Sequence, residues 1–133
     1  MNKFLKQKEI LNQNILKKDF LLSIIIPCFN EINTIGKVIE KVKNSSKIKK
    51  EIIIIDDYSN DGSREFLENL TDVEITVKFH DMNKGKGAAL RTGIKYAKGN
   101  IILIQDADLE YDPGDYHNLI SPIIENKADV VYG

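Results

Sequence analysis

The sequence predicts an α/β fold with a Rossmann-like, mostly parallel sheet and helices on both faces. Short isoleucine-rich apolar segments alternate with segments whose apolar residues recur at helical spacing. This alternation repeats four times and ends on an apolar segment, as in parallel sheets joined by right-handed crossovers. The segment Ile101–Ile104 carries no charge, which is typical of a strand buried on both faces.

The chain divides into a basic extension, residues 1–20, and one domain, residues 21–133. Strands are predicted at residues 21–26, 51–55, 73–79, 101–104 and 128–132. Helices are predicted at residues 35–42, 66–70, 90–97 and 116–123. Pro27 is expected to end the first strand. The third strand alternates more between polar and apolar residues, which favours a position nearer the sheet edge.

Composition and charge exclude several classes of protein. The net charge of −1 does not indicate nucleic-acid binding by bulk charge. A single cysteine, Cys28, excludes an internal disulfide. No apolar run approaches the roughly 18 residues of a membrane span, and the start lacks a signal-peptide core, so a cytoplasmic location is expected. Residues 1–18 hold five Lys and one Glu; they could contact a membrane or partner, but a frayed extension is favoured.

Polar clusters follow three of the predicted strands directly. They begin at Pro27, at Asp56 and at Asp106. The carboxyl ends of parallel strands meet at one edge of the sheet, where ligands of open α/β folds bind. The sequence therefore predicts a binding site at this edge.

The fourth strand runs into alternating acids, Asp106, Asp108, Glu110 and Asp112. Carboxylates crowded together repel one another, and a bound Mg²⁺ or Mn²⁺ removes that cost because it takes oxygen ligands and substrate phosphates. We therefore expect Asp106 and Asp108 to hold a metal that in turn holds a diphosphate. The alternative is an ordinary acidic turn, and Asp112 before Pro113 is assigned to helix capping.

Two further clusters are less specific. Asp56 and Asp57 could accept hydrogen bonds from a base or ribose, although turn chemistry explains the neighbouring Asp61 and Ser63. The segment Asn83-Lys84-Gly85-Lys86-Gly87-Ala88 precedes a helix and could face a phosphate, but taken alone it is more typical of a solvated loop.

Three other residues are given structural roles. Cys28 has no histidine placed as its base, so it is interpreted as a packed residue and not a nucleophile. His80 and His117 are isolated in the sequence and are interpreted as surface or boundary residues.

Four segments, in this order and spacing, resemble the family 2 glycosyltransferases of the GT-A fold, especially the polyprenyl (dolichyl) phosphate mannosyl- and glucosyltransferase branch. The segments are IIIPCFNE (24–31), IIIIDDYSNDGS (52–63), NKGKGAALRTGIKYAKG (83–99) and QDADLEYDP (105–113). The resemblance covers residues 21–133.

The resemblance implies a GDP- or UDP-sugar donor, a divalent cation (Mg²⁺ or Mn²⁺) and transfer with inversion at the anomeric carbon. It implies a nucleotide site formed by Pro27, Asn30, Glu31, Asp56, Asp57, Lys84, Gly85, Lys86 and Asp106. It also implies a metal site formed by Asp106 and Asp108, with Glu110 as a further ligand. A polyprenyl phosphate acceptor would place the protein peripherally at the inner face of the membrane.

Two departures from the family pattern stand out. Tyr58 replaces the usual glycine of the Asp-Asp-Gly-Ser turn, so a reshaped turn is expected because tyrosine adopts positive φ at a cost. The family domain also continues beyond the position of Gly133, so we expect a donor-binding half whose catalytic base and acceptor site lie further on.

Two alternatives remain open. The chain could be a non-catalytic nucleotide- or metal-binding module. A phosphoryl-transfer domain has less support, because such folds need acids after the first strand, and here Pro27 and Cys28 stand there. Self-association into a homo-oligomer is left open.

Overall fold

The computed structural model describes residues 20–45 and 47–108, and the backbone of residues 130–132. Five strands of these segments form one parallel sheet in the order β3-β2-β1-β4-β5. The strands are β1 (Leu22–Cys28), β2 (Lys50–Asp56), β3 (Ile75–Phe79), β4 (Ile101–Ile104) and β5 (Val130–Tyr132). The helices are α1 (Ile35–Asn44), α2 (Ser63–Glu68) and α3 (Lys86–Tyr96). The predicted helix over residues 116–123 lies outside the described residues.

The central strand β1 is buried on both of its faces, as predicted. Ile24 and Ile26 share a buried cluster with apolar residues of α1 and with Leu67 of α2. Ile25 points to the opposite face, where it clusters with Ala89 and Leu90 of α3. Helices therefore cover both faces of the sheet, and the predicted fold class is confirmed.

The expectation that Pro27 ends the first strand is wrong, since β1 continues to Cys28. Ile25 O accepts a hydrogen bond from Gln105 N on the β4 side, and Cys28 O accepts one from Asp57 N on the β2 side. Successive residues alternate sides, so the nitrogen of Pro27 faces β4, which has already ended. The strand therefore loses no ladder hydrogen bond at the proline.

The strand β3 lies at the edge of the sheet, as predicted, but it begins at Ile75. The N–H of Ile75 donates to Asp72 O and closes a turn before the strand. Val73, predicted to start the strand, lies in this turn and is 99% exposed. Within the described part of the chain, every helix is too short or too polar to cross a lipid bilayer.

Candidate functional site

A cavity of about 480 Å³ opens at the carboxyl edge of the sheet. Its walls come from the end of β1, the loops after β1, β2, β3 and β4, and the start of α3. The lining residues are Pro27, Cys28, Phe29, Glu31, Asp57, Asn83, Gly85, Lys86, Ala89, Asp106, Ala107 and Asp108.

Seven of the predicted site residues line this cavity, and they come from the end of β1, from the loops that follow β1, β2, β3 and β4, and from the start of α3. They are Pro27, Glu31, Asp57, Gly85, Lys86, Asp106 and Asp108. Asn30, Asp56 and Lys84 are not among the lining residues, and Glu110 lies outside the described residues. The predicted edge therefore does gather a group of polar side chains around one cavity.

Asp57 holds the loop that precedes α3. The N–H groups of Lys84 and Gly85 donate to its two carboxylate oxygens, each at 2.8 Å. His80 Nδ1 lies 2.8 Å from Asp57 Oδ1. Burial by itself would raise the pKa of Asp57, but the hydrogen bonds from His80, Lys84 and Gly85 outweigh it and the pKa is lowered. Asp57 is therefore a carboxylate held in its ionised form by three donors.

This arrangement changes what the glycine-rich loop can offer a ligand. The N–H groups of Lys84 and Gly85, which a phosphate could use at a helix N-terminus, already donate to Asp57. Gly85 adopts a φ of 93°, which lets its N–H turn toward the carboxylate. Asn83 and Lys86 also line the cavity, where Asn83 Nδ2 donates to Asp57 O and Lys86 Nζ donates to Asp106 Oδ1.

The interpretation of His80 as a surface or boundary residue is wrong. The residue is 7% exposed, and its Nε2 lies 2.9 Å from Thr92 Oγ1 on α3. The backbone N–H of His80 also donates to Asp56 O, which extends the pairing of β2 with β3. A sequence signal was available, because His80 directly follows β3 and so lies at the same edge as the other polar clusters.

Asp56 lies behind the cavity wall. It is fully buried, and its Oδ2 accepts a hydrogen bond from Ser59 N at 3.0 Å. Its Oδ1 has no hydrogen-bond partner among the described residues. The turn is not reshaped to avoid a positive φ, since Tyr58 itself adopts a φ of 70°. In this conformation Asp56 supports the turn, and a contact with a ligand would require the turn to move.

The Asp106-Ala107-Asp108 turn is fixed from two directions. Lys86 Nζ donates to Asp106 Oδ1 at 2.7 Å. Thr34 Oγ1, just before α1, donates to Ala107 O at 2.6 Å. Sequence reasoning missed Thr34, because a single threonine in a helix-entry segment carries no distinguishing pattern.

The donor set of this turn fits a divalent cation. Mg²⁺ and Mn²⁺ are commonly held by one or two carboxylates together with substrate phosphates and water. Asp106 and Asp108 supply two carboxylates beside the cavity. Among the described residues, no group of three potential metal-ligating side chains is assembled, so substrate oxygens or Glu110 would have to complete such a site.

Cys28 lines the cavity but is unsuited to nucleophilic chemistry. It is 1% exposed, and burial, helped by the nearby charge of Asp56, raises the pKa of its thiol to about 12. Its interpretation as a packed residue agrees with this environment.

Comparisons with a family profile, with related sequences and with solved structures all point to glycosyltransferases. The sequence profile of Glycosyl transferase family 2 matches residues 23–133. The chain is 30% identical over 115 residues to the Escherichia coli UDP-Glc:alpha-D-GlcNAc-diphosphoundecaprenol beta-1,3-glucosyltransferase WfgD, with 86% of this chain and 46% of that protein covered. It is 29% identical over 119 residues to the dodecaprenyl-phosphate galacturonate synthase of Rhizobium johnstonii, with 84% and 35% covered.

Among solved structures, the fold resembles the mannosyltransferase PcManGT from Pyrobaculum calidifontis in complex with GDP-Man and Mn²⁺. The TM-score is 0.65 at 23% identity, covering 90% of this chain and 39% of that one. The chain thus spans half or less of the length of these proteins. Because the family profile covers nearly all of the sheet and the whole cavity edge, this chain belongs to Glycosyl transferase family 2.

Proposed function

We propose that this chain is the donor-binding part of a metal-dependent, inverting glycosyltransferase that uses a GDP- or UDP-sugar. The observation that carries the proposal is that Asp57, Asp106 and Asp108 all line the cavity described above. Its volume lies in the usual range for small-ligand sites. Family membership supports a glycosyltransferase.

The proposed roles follow from position around the cavity. Pro27, Glu31 and Asp57 would contact the nucleoside, together with Asn30, Asp56 and Lys84 if ligand binding rearranges their loops. Asp106 and Asp108 would hold the divalent cation, with Glu110 as a further ligand. When bound, the cation would neutralise the charge on the departing diphosphate.

Lys86 would add positive charge on the diphosphate side of the cavity. Its ammonium group is within hydrogen-bond distance of Asp106, and its long side chain can swing toward a phosphate without moving α3. The catalytic base is proposed to lie beyond Gly133, and no described residue is assigned to that role.

A lipid acceptor is proposed from the relatives. The names of the Escherichia coli and Rhizobium proteins refer to polyprenyl diphosphate and polyprenyl phosphate compounds. We therefore extend the proposal to a polyprenyl phosphate acceptor, with the protein acting peripherally at the inner membrane face. The basic residues 1–18 would suit an anionic surface.

Calorimetry with GDP and UDP, with and without Mn²⁺, tests the donor site. Asp108→Asn is expected to weaken Mn²⁺-dependent nucleotide binding by about tenfold or more, because it removes one charged ligand. Glu40→Gln on the exposed side of α1 removes the same charge away from the cavity and serves as the matched control. Binding that needs no metal, or that survives Asp108→Asn unchanged, would contradict the metal site.

The alternative of a non-catalytic module needs a separate assay. Release of free sugar from the donor, or transfer to a polyprenyl phosphate, would be measured on this chain and on a longer natural chain. Turnover by the longer chain supports the enzyme. Nucleotide binding without turnover in either chain favours the binding module.

A further inference from the structure

We propose that His80 is a positioning residue for the donor site, which it shapes by orienting Asp57 and the loop of residues 83–85. The proposal rests on the function proposed above, because it concerns how the nucleotide-facing wall keeps its shape. Its basis is the run of hydrogen bonds through Asp57, His80 and Thr92, which joins the ends of two strands to α3.

The side chains of Asp57, His80 and Thr92 lie within hydrogen-bond distance of one another in turn, and those of Asp57 and His80 are buried. His80 Nδ1 lies 2.8 Å from Asp57 Oδ1, and His80 Nε2 lies 2.9 Å from Thr92 Oγ1. The side chains of His80 and Asp57 are 7% and 6% exposed. Both ring nitrogens thus have partners, which satisfies the requirement that buried polar atoms be hydrogen-bonded.

The proton positions follow from the partners. The carboxylate of Asp57 only accepts hydrogen bonds, so Nδ1 of His80 must carry a proton. The N–H groups of Lys84 and Gly85 donate to the same carboxylate. Three donors therefore converge on Asp57, one from the end of β3 and two from the loop before α3.

These contacts reach the cavity directly. Asp57, Asn83 and Gly85 line it, and Asn83 Nδ2 also donates to Asp57 O at 3.3 Å. Loss of the His80 donor would let the carboxylate rotate and release the two loop N–H groups. The wall that faces the nucleoside would then lose its fixed shape, although His80 itself does not line the cavity.

Two amide substitutions test the roles of the two ring nitrogens of His80 separately. In His80→Asn the side-chain amide can reach the position of Nδ1 and donate to Asp57. In His80→Gln the amide reaches the position of Nε2 and contacts Thr92 instead. Both variants remove the imidazole ring and keep one polar contact. A difference between them therefore reports which contact is kept and not the loss of the ring.

The first readout does not involve a nucleotide. Hydrogen exchange of the Lys84 and Gly85 amides is measured by NMR, and free energies of unfolding are measured in urea. We expect exchange about tenfold faster in His80→Gln than in His80→Asn, because hydrogen bonds to a charged group are the stronger ones. Equal exchange in the two folded variants would overturn the proposal.

The second readout is the affinity for GDP or UDP with Mn²⁺. His80→Gln is expected to weaken binding about tenfold, and His80→Asn to recover most of that loss. If the wild type binds and the two variants bind equally, the positioning role is wrong. If the wild type binds neither nucleotide, the proposed function fails, and amide exchange still decides the role of His80.

A third variant covers the case in which His80→Gln does not fold. His80→Leu fills the buried position of the ring but keeps neither polar contact. Exchange at Lys84 and Gly85 is expected to be about tenfold faster in His80→Leu than in His80→Asn, because only the asparagine can donate to Asp57. Equal exchange in these two folded variants would overturn the proposal.

Discussion

Cys28 illustrates how burial decides the chemistry of one side chain. Its thiol lies at the wall of the cavity, but it is almost fully buried and its pKa is raised to about 12. Thiolate is the reactive form, so at pH 8 the native thiol should react about a thousandfold more slowly than an ordinary one.

We therefore predict slow alkylation of native Cys28 by iodoacetamide at pH 8 and fast alkylation in urea. Mass spectrometry of the labelled protein measures both rates without ambiguity, because the chain has a single cysteine. Comparable rates in the native and unfolded states would mean that the thiol is accessible and ionised.

Single residues also show which contacts the sequence alone does not predict. Asp57 and Asp106 were identified because they follow strands as part of acidic pairs. His80 and Thr34 were not, since each is one polar residue without a repeating pattern. Their partners are 23 and 73 positions away in sequence, and only folding brings such pairs together.

At the scale of elements, Gly93 sets how closely α3 packs on the sheet. A Cβ atom at this position would lie 2.5 Å from Cγ2 of Ile25 in β1. We predict that Gly93→Ala lowers the free energy of unfolding by about 1–3 kcal/mol, because overpacking outweighs the helix propensity gained.

Gly87→Ala in the same helix is the matched control. The nearest atom to its added Cβ is the end of the flexible Arg91 side chain at 3.4 Å. This variant should be neutral or more stable by up to about 1 kcal/mol. Urea unfolding of both variants measures the difference, and a Gly93→Ala protein as stable as Gly87→Ala would contradict the close contact.

Strands β1, β2 and β4 were predictable because burial on both faces leaves an uninterrupted apolar signal. The ends of the strands were harder to predict. The path of β1 through Pro27 depends on which neighbour faces the proline nitrogen, and the late start of β3 depends on the turn from Asp72 to Ile75. Both are settled by contacts between segments, which a local pattern does not contain.

At the scale of the whole molecule, Asp57 links the stability of the fold to pH. Its folded-state pKa is lowered because hydrogen bonds from His80, Lys84 and Gly85 outweigh burial. The unfolded chain therefore binds the proton first as pH falls. The stabilisation is fully present above the ordinary Asp pKa of about 4 and is lost as pH falls through the lowered folded-state pKa.

We predict that Asp57→Asn is less stable than the wild type at pH 7 and that the difference shrinks on acidification. Urea unfolding between about pH 7 and pH 2 measures this difference. A difference that stays constant across that range would show that the carboxylate gains no stability from its ionised form.

By itself, the sequence determined the fold class, the parallel strands and the edge at which the polar clusters meet. Hydrophobic periodicity is a local property, and parallel strands necessarily share their carboxyl edge. The tertiary structure alone decided that β1 lies between β2 and β4, which places Asp57 and Asp106 around one cavity. Only the tertiary structure also decided that the N–H groups of Lys84 and Gly85 bind Asp57, because folding places the Asp57 carboxylate at the start of α3.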